Sequence, residues 1–396
     1  MTIDREYQNC LNILAAALFG KESEYEETEG LWEIAQKHSV TPLICGQLMR
    51  RRGCEKDKRQ FYREYIYSSA INNDNLLRGQ KQLVELFVTH GIPYAIMKGY
   101  SVSRLYREPD LRPLGDIDIL IRRDDKEIVN EMLLSNGYEY ALEQEHHVCY
   151  IKDGMHIEVH VSLSIFSEQQ REQYAATASE QAIYHTKVLE TEYGQLCVLE
   201  LPYQLLSLLT HMERHMQDAG IGMRQLCDWA VTVDYYRCEI TDKIIDFLRE
   251  CGLLRFSVVM TNTAEKYLGL PHFDWTECVS TDVVEMMIDE ICNSGNMQNI
   301  SIERSLSHYW ASGANRLETP KNSMIGLYCT NIMRKARKDH PVLSRCILLA
   351  PFFFIVYPMK WWIRSMLGKR EKVKPLRILL FARKRKRLYD QLKLYE

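Results

Sequence analysis

The sequence predicts an α+β protein, with a small mixed-sheet core set between N- and C-terminal helical segments. Three observations predict it. Residues 1 to 88, and the chain from Pro202 to about residue 330, carry apolar residues at helical spacing. Between them lie short runs that alternate with period two or are apolar throughout, bounded by Gly, Pro and Asp. Helical patterns separate the first of those runs, as a mixed rather than an all-antiparallel sheet requires.

Taken in order, "YQNCLNILAAALFG" is a helix stopped by Gly20, and "ESEYEETEGLWEIAQKHSVTPLICGQLMRR" continues the same period through a turn at Thr41-Pro42. A longer helix, "FYREYIYSSAINNDNLLRGQKQLVELFVTHG", ends at Gly91. "IPYAIMKG" and "DIDILIRR" are buried strands, separated by the helical "SVSRLYRE" and followed by the helical "DKEIVNEMLLSNG". "YEYALEQ", "HHVCYIKDG" and "MHIEVHVSLS" are three further strands, with Asp153-Gly154 as a hairpin turn. "YQLLSLLTHMERHMQ" and "RQLCDWAVTVDYY" return to helix. The expected organisation is a helical segment over 1–88, a core over 89–195, a helical domain over 196–330 and a basic and apolar tail over 331–396.

The 396 residues suffice for two or three packed units, and 46% hydrophobic with 26% charged residues exclude a disordered or fibrous chain. Twelve cysteines are scattered singly with no CxxC, and "MTIDREYQNC" lacks a signal-peptide pattern, so reduced thiols and a cytoplasmic location are expected. The net charge of −3 conceals an asymmetry: Arg334 to Glu396 holds 18 Lys and Arg against 4 Asp and Glu. Such a tail suits RNA, phospholipid or the acidic body of the same chain.

Asp116 and Asp118 alternate with Ile117 and Ile119, so the two carboxylates share one strand face and the isoleucines the other. Carboxylates this close repel, and a cation between them relieves the repulsion. Mg²⁺ takes carboxylates together with phosphate oxygens, so the pair suits phosphoryl or nucleotidyl transfer. Glu158 stands mid-strand in "MHIEVHVSL" with its apolar neighbours on the opposite face, and would complete a three-carboxylate set from an adjacent strand. The competing reading is a half-exposed strand with its polar face in water. Upstream, Lys98-Gly99 ends a buried strand, and a helix starts near Ser101, a turn that admits phosphate. Here the competing reading is an ordinary strand-to-helix turn.

Lys98, Gly99, Ser101, Tyr106, Arg112, Asp116, Asp118 and Glu158, with His160 just after and His146 or His147 before, form an ordered set. The set resembles the uncharacterised nucleotidyltransferase family of the DNA polymerase β-like superfamily. "LWEIAQKHSVTPLICGQL" and "HMERHMQ…RQLCDWAVTV" are similar to the family's flanking helical segments. The resemblance implies a polymerase β-like palm that moves a nucleoside monophosphate, most often AMP, from an NTP to an acceptor hydroxyl and releases pyrophosphate. It implies Asp116, Asp118 and Glu158 as catalytic metal ligands for two Mg²⁺ ions, with Mn²⁺ as a substitute. It also implies Lys98, Gly99, Ser101 and Arg112 at the triphosphate. His211 and His215, one helical turn apart, form a polar stripe that would face the nucleotide together with Arg224 and Asp228. A zinc helix is disfavoured because Glu213 is misplaced for His-Glu-x-x-His. The acceptor is open between a small molecule, a peptide, a protein and RNA.

Two other readings stand beside this one. The chain would be an NTP-binding protein without turnover, or an RNA- or membrane-associated interaction protein acting through its tail. "CILLAPFFFIVYPMKWWI", residues 346–363, is too short before Lys360 and too proline-broken to span a bilayer, so packing on the body or a peripheral membrane contact is expected. Arg383 to Arg387 is a run of five basic residues, on a solvated helix or against RNA phosphates.

Overall fold

The structure, a computed structural model, describes residues 3–21, 24–51, 54–144, 146–166, 172–218, 220–277, 279–295, 302–311 and 374–394, and positions 324, 326, 328, 329, 331–333 and 359. Four helices come first: α1 (Arg5–Phe19), α2 (Glu29–Lys37), α3 (Thr41–Met49) and α4 (Lys56–Thr89). The core follows as β1 (Tyr94–Ile96), α5 (Tyr100–Ser103), β2 (Ile117–Ile121), α6 (Lys126–Ser135), β3 (Glu139–Glu143), β4 (His147–Lys152) and β5 (Met155–His160). After α7 (Gln173–Gln181) come β6 (Thr186–Thr191) and β7 (Gly194–Leu199). Helices α8 (Leu201–Asp218), α9 (Met223–Tyr235), α10 (Asp242–Glu250), α11 (Leu254–Leu268), α12 (Thr281–Asn293), α13 (Ile302–Ala311) and α14 (Pro375–Leu392) complete the described chain.

All five strands expected from the sequence form. The β6–β7 hairpin was not expected. No residue of β6 is buried, so it carries no apolar stripe to betray it. Its partner β7 lies parallel to β1, extending the sheet to the order β3-β4-β5-β2-β1-β7-β6. The sheet is mixed: β1 is antiparallel to β2, β2 is parallel to β5, and β5 is antiparallel to β4.

The position of every polar residue on the sheet follows from its apolar face. Ile117, Ile119 and Ile121 of β2, with Ile157 and Val159 of β5, pack against Leu83, Val84 and Phe87 of α4 and Val129, Met132 and Leu133 of α6. A one-residue slip of β2 would take the isoleucines out of that core at about 1.5–3 kcal/mol each and point Asp118 into it. Hydrophobic burial therefore fixes where Asp118 points. The β4–β5 register is set locally. Asp153 (φ 50°) and Gly154 (φ 77°) both take left-handed backbone, as a two-residue type I′ hairpin turn demands, and Lys152 pairs with Met155.

The chain forms two compact units. The first comprises Met1–Arg214, Ile221–Asn296 and Leu394–Glu396; the second comprises His215–Gly220 and Met297–Lys393. In the first, α1 packs on α3, α9 and α11, so helices from both sides of the sheet segment share one cluster. Trp229 of α9 is fully buried there and donates its indole N–H to Thr261 Oγ1 at 3.0 Å. In the second unit α13 packs on α14. The basic run on α14 is not uniformly solvated: Arg385 is buried and donates to Ser307 Oγ at 3.0 Å and to the Met216 carbonyl. Lys386 pairs with Asp390 at 2.7 Å. The apolar stretch 346–363 lies outside the described residues except for Met359. Among the described residues no helix is long and apolar enough to cross a membrane, and every cysteine is a free thiol.

Candidate active site

The alternation in β2 and β5 puts Asp118 and Glu158 on one face, and the parallel pairing makes them direct neighbours: Asp118 lies opposite Glu158, between the pairs Ile117–Ile157 and Ile119–Val159. Asp118 is buried and Glu158 is partly open, its side chain 29% exposed. Asp116 lies just ahead of β2 and is exposed.

Around this pair stand groups from four other places in the chain. Lys98, following β1, points its Nζ to Asp118 Oδ1 at 2.8 Å and lies 3.0 Å from His211 Nδ1 on α8. His160 Nε2 lies 3.0 Å from the same Asp118 oxygen and 3.3 Å from Glu158 Oε2. Across the hairpin, Cys149 sits opposite Glu158 and His147 opposite His160, all on this face. Arg224, on the first turn of α9, is close enough for its charge to favour the ionised forms of both Asp116 and Asp228.

The electrostatics separate the three acids. Burial alone would raise Asp118, but the Lys98 ammonium and the His160 hydrogen bond hold its carboxyl well below the usual range. Burial opposes ionisation of Glu158 too, and its hydrogen bond from His160 lowers it on balance. Asp116 moves the other way, chiefly because the negative Asp118 beside it raises its pKa. His160 is raised, because its bonds to Asp118 and Glu158 outweigh a burial that would push it down. His147 falls to about 4 and His146 to about 2, each chiefly from burial.

Gly99 adopts φ 60°, ψ −113°, a conformation closed to side-chain-bearing residues, and so the strand turns directly into α5. Ser101 is buried and donates its hydroxyl to the Met97 carbonyl at 2.9 Å. Arg112, expected at the triphosphate, is engaged elsewhere. It binds Asp228 through two N–H groups at 3.0 and 2.8 Å, and Tyr106 donates to the same carboxylate at 2.7 Å. All three are buried, so Asp228 likewise holds the core segment to α9. His211 joins the site through Lys98, while His215 belongs to the second unit.

The donor set suits a hard divalent cation. Two ionised carboxylates meet in register, and ligand atoms of Asp118, Glu158 and His160 come within 4.8 Å of one another. Lys98 already holds positive charge against Asp118. Asp116 stands outside that tight group. The sequence does not show that Lys98 pairs with Asp118, leaves His147 open against His146, and marks no role for Cys149. A signal for the last two was present: a two-residue turn at Asp153-Gly154 fixes which β4 residue faces Glu158.

A solved structure that the chain resembles is an antigenic nucleotidyltransferase-like protein from Paracoccidioides brasiliensis. The identity is 16% and the TM-score 0.31, over 50% of this chain and 93% of that one, a distance at which it bears on no residue here. No curated protein matches the sequence. The profile of the family described as "Uncharacterised nucleotidyltransferase" matches residues 25–269, which include every element of the sheet and the acids it carries. Over more than half its length, then, this chain is a member of the uncharacterised nucleotidyltransferase family, and a transferase.

Proposed function

We propose that the protein transfers a nucleoside monophosphate, AMP in the first instance, from an NTP to a hydroxyl of an acceptor. The observation that carries this is the in-register meeting of Asp118 and Glu158 beside Lys98. Asp116, Asp118 and Glu158 would hold Mg²⁺, two ions in full occupancy, with Mn²⁺ able to replace it. Bound Mg²⁺ supplies charge neutralisation on the phosphates and lowers the pKa of the attacking hydroxyl.

The chain's own groups do the rest by position and charge. Lys98 exchanges its contact with Asp118 for a phosphate oxygen, and His211 holds it at the site's edge. Gly99 lets the backbone approach the triphosphate, and Ser101 pins that turn by its bond to Met97. Glu158 accepts the proton of the acceptor hydroxyl. The acceptor oxygen forms a bond to the α-phosphorus as the bond to the bridging oxygen breaks, and pyrophosphate leaves with that electron pair.

The test is release of pyrophosphate and transfer of α-labelled ATP to a cell-extract acceptor pool in the presence of Mg²⁺. Asp118→Asn should lower transfer by more than the ~100-fold that loss of an outer partner costs, with an unchanged circular dichroism spectrum. Wild-type protein that binds ATP yet releases no pyrophosphate would overturn the reading. It would favour a second one, binding without turnover, for which the Lys98–Asp118 ion pair speaks, since it already satisfies the buried carboxylate.

A further inference from the structure

We propose that His147, Cys149 and Glu158 form a binding site for a borderline transition-metal cation of the Zn²⁺ class, distinct in chemistry from the carboxylate pair. Ligand atoms of the three lie within 4.8 Å of one another on one face of the β4–β5 hairpin. Imidazole, thiolate and carboxylate together select Zn²⁺ or Co²⁺ over Mg²⁺, which takes oxygen donors.

The tautomer of His147 carries the argument further. Arg214 can only donate, and its guanidinium is seated on His146 Nε2, so that nitrogen is an acceptor. His147 Nδ1 faces the same nitrogen at 3.1 Å, and a proton on Nδ1 avoids setting one lone pair against another. The bare lone pair of His147 is left at Nε2. That atom is buried and has no hydrogen-bond partner, and it lies 3.9 Å from Glu158 Oε1. His147 is only 3% exposed, so water does not satisfy it from bulk. Two electron-rich atoms thus face each other across a gap that a cation bridges and that costs free energy when left unbridged. The bond from His147 to His146 also fixes the ring, as an outer partner does for a ligating histidine. The Arg214 charge falls on His146, which excludes that residue as a ligand, and repels a cation at His147 more weakly. Cys149 and Glu158 are partly open and give the ion its way in.

Binding converts the Cys149 thiol to thiolate and releases one proton, since burial and the Glu158 charge otherwise hold that thiol protonated, at about 11. Glu158 is common to this site and to the carboxylate pair, so the two compete for it. The proposal does not depend on nucleotide chemistry, and its test contains no NTP. The full chain is stripped with chelator, kept reduced, and titrated with Co²⁺ in the presence of excess Mg²⁺. The expected result is one equivalent bound with a sulfur-to-cobalt charge-transfer band. Cys149→Ser should abolish the band, and His147→Gln should weaken binding at least about tenfold. No band in the wild-type protein, or a band that survives Cys149→Ser, would overturn the proposal. If His147→Gln fails to fold by circular dichroism, the near-isosteric Cys149→Ser variant decides alone.

Discussion

Two buried charge clusters lie within the first unit, and they are built on opposite principles. At α9, Asp228 receives two N–H groups from Arg112 and the Tyr106 hydroxyl, so the acid is fully satisfied. At the β2–β5 neighbours, two carboxylates face each other, Asp116 adds a third negative charge, and ring nitrogens of His147 and His160 have no hydrogen-bond partner. Saturation makes a joint. Incomplete satisfaction, kept in place by an apolar core on the other side of the sheet, makes a site that a cation or phosphate improves. The contrast also shows what the sequence hides at Arg112: an arginine near Asp-x-Asp gives no sign that it pairs with an aspartate 116 residues later.

The largest effect that can break this comparison is Arg112→Met. It should leave Asp228 charged and buried without its partner, at a cost of about 3–5 kcal/mol in urea unfolding. A loss below about 1 kcal/mol would mean that the joint is not saturated in solution. Next is the acid limb of stability. Asp228 is held below the ordinary 3.8, because Arg112 outweighs burial. As pH falls, the unfolded chain takes up the proton first. The contribution is therefore intact above about pH 4 and is lost as pH drops through the folded value. Asp228→Asn should make the acid slope of the urea midpoint shallower. It should not make it flat, because Asp118 and Glu158 are lowered as well. A slope unchanged by the substitution would assign the limb elsewhere. The smallest effect sharpens the contrast from the other side. Asp116→Asn removes a like charge from beside Asp118, so the melting temperature should hold or rise while transfer activity falls. A clear drop in melting temperature would make Asp116 a structural residue.

Much of the site was legible because its elements are short and strictly periodic. Ile117, Ile119, Ile157 and Val159 mark the core face by alternation, and this alone places Asp118 and Glu158 on the far face of their strands. The hairpin turn at Asp153-Gly154 announces itself by residue type. The β6–β7 hairpin stayed hidden because β6 buries nothing. The sequence shows a hydroxyl near a glycine turn at Ser101, and only the fold shows its bond to the Met97 carbonyl.

By itself, then, the sequence determined the strands β1 to β5, which of their faces are apolar, and that acids occupy the other face, since these follow from periodicity within a few residues. Only the tertiary structure decided that β5 lies beside β2 in parallel, that Lys98 reaches Asp118, and that Arg112 closes on Asp228. Those pairings join segments far apart in the chain, and their energies come from burial and charge that exist only once the sheet and helices have assembled.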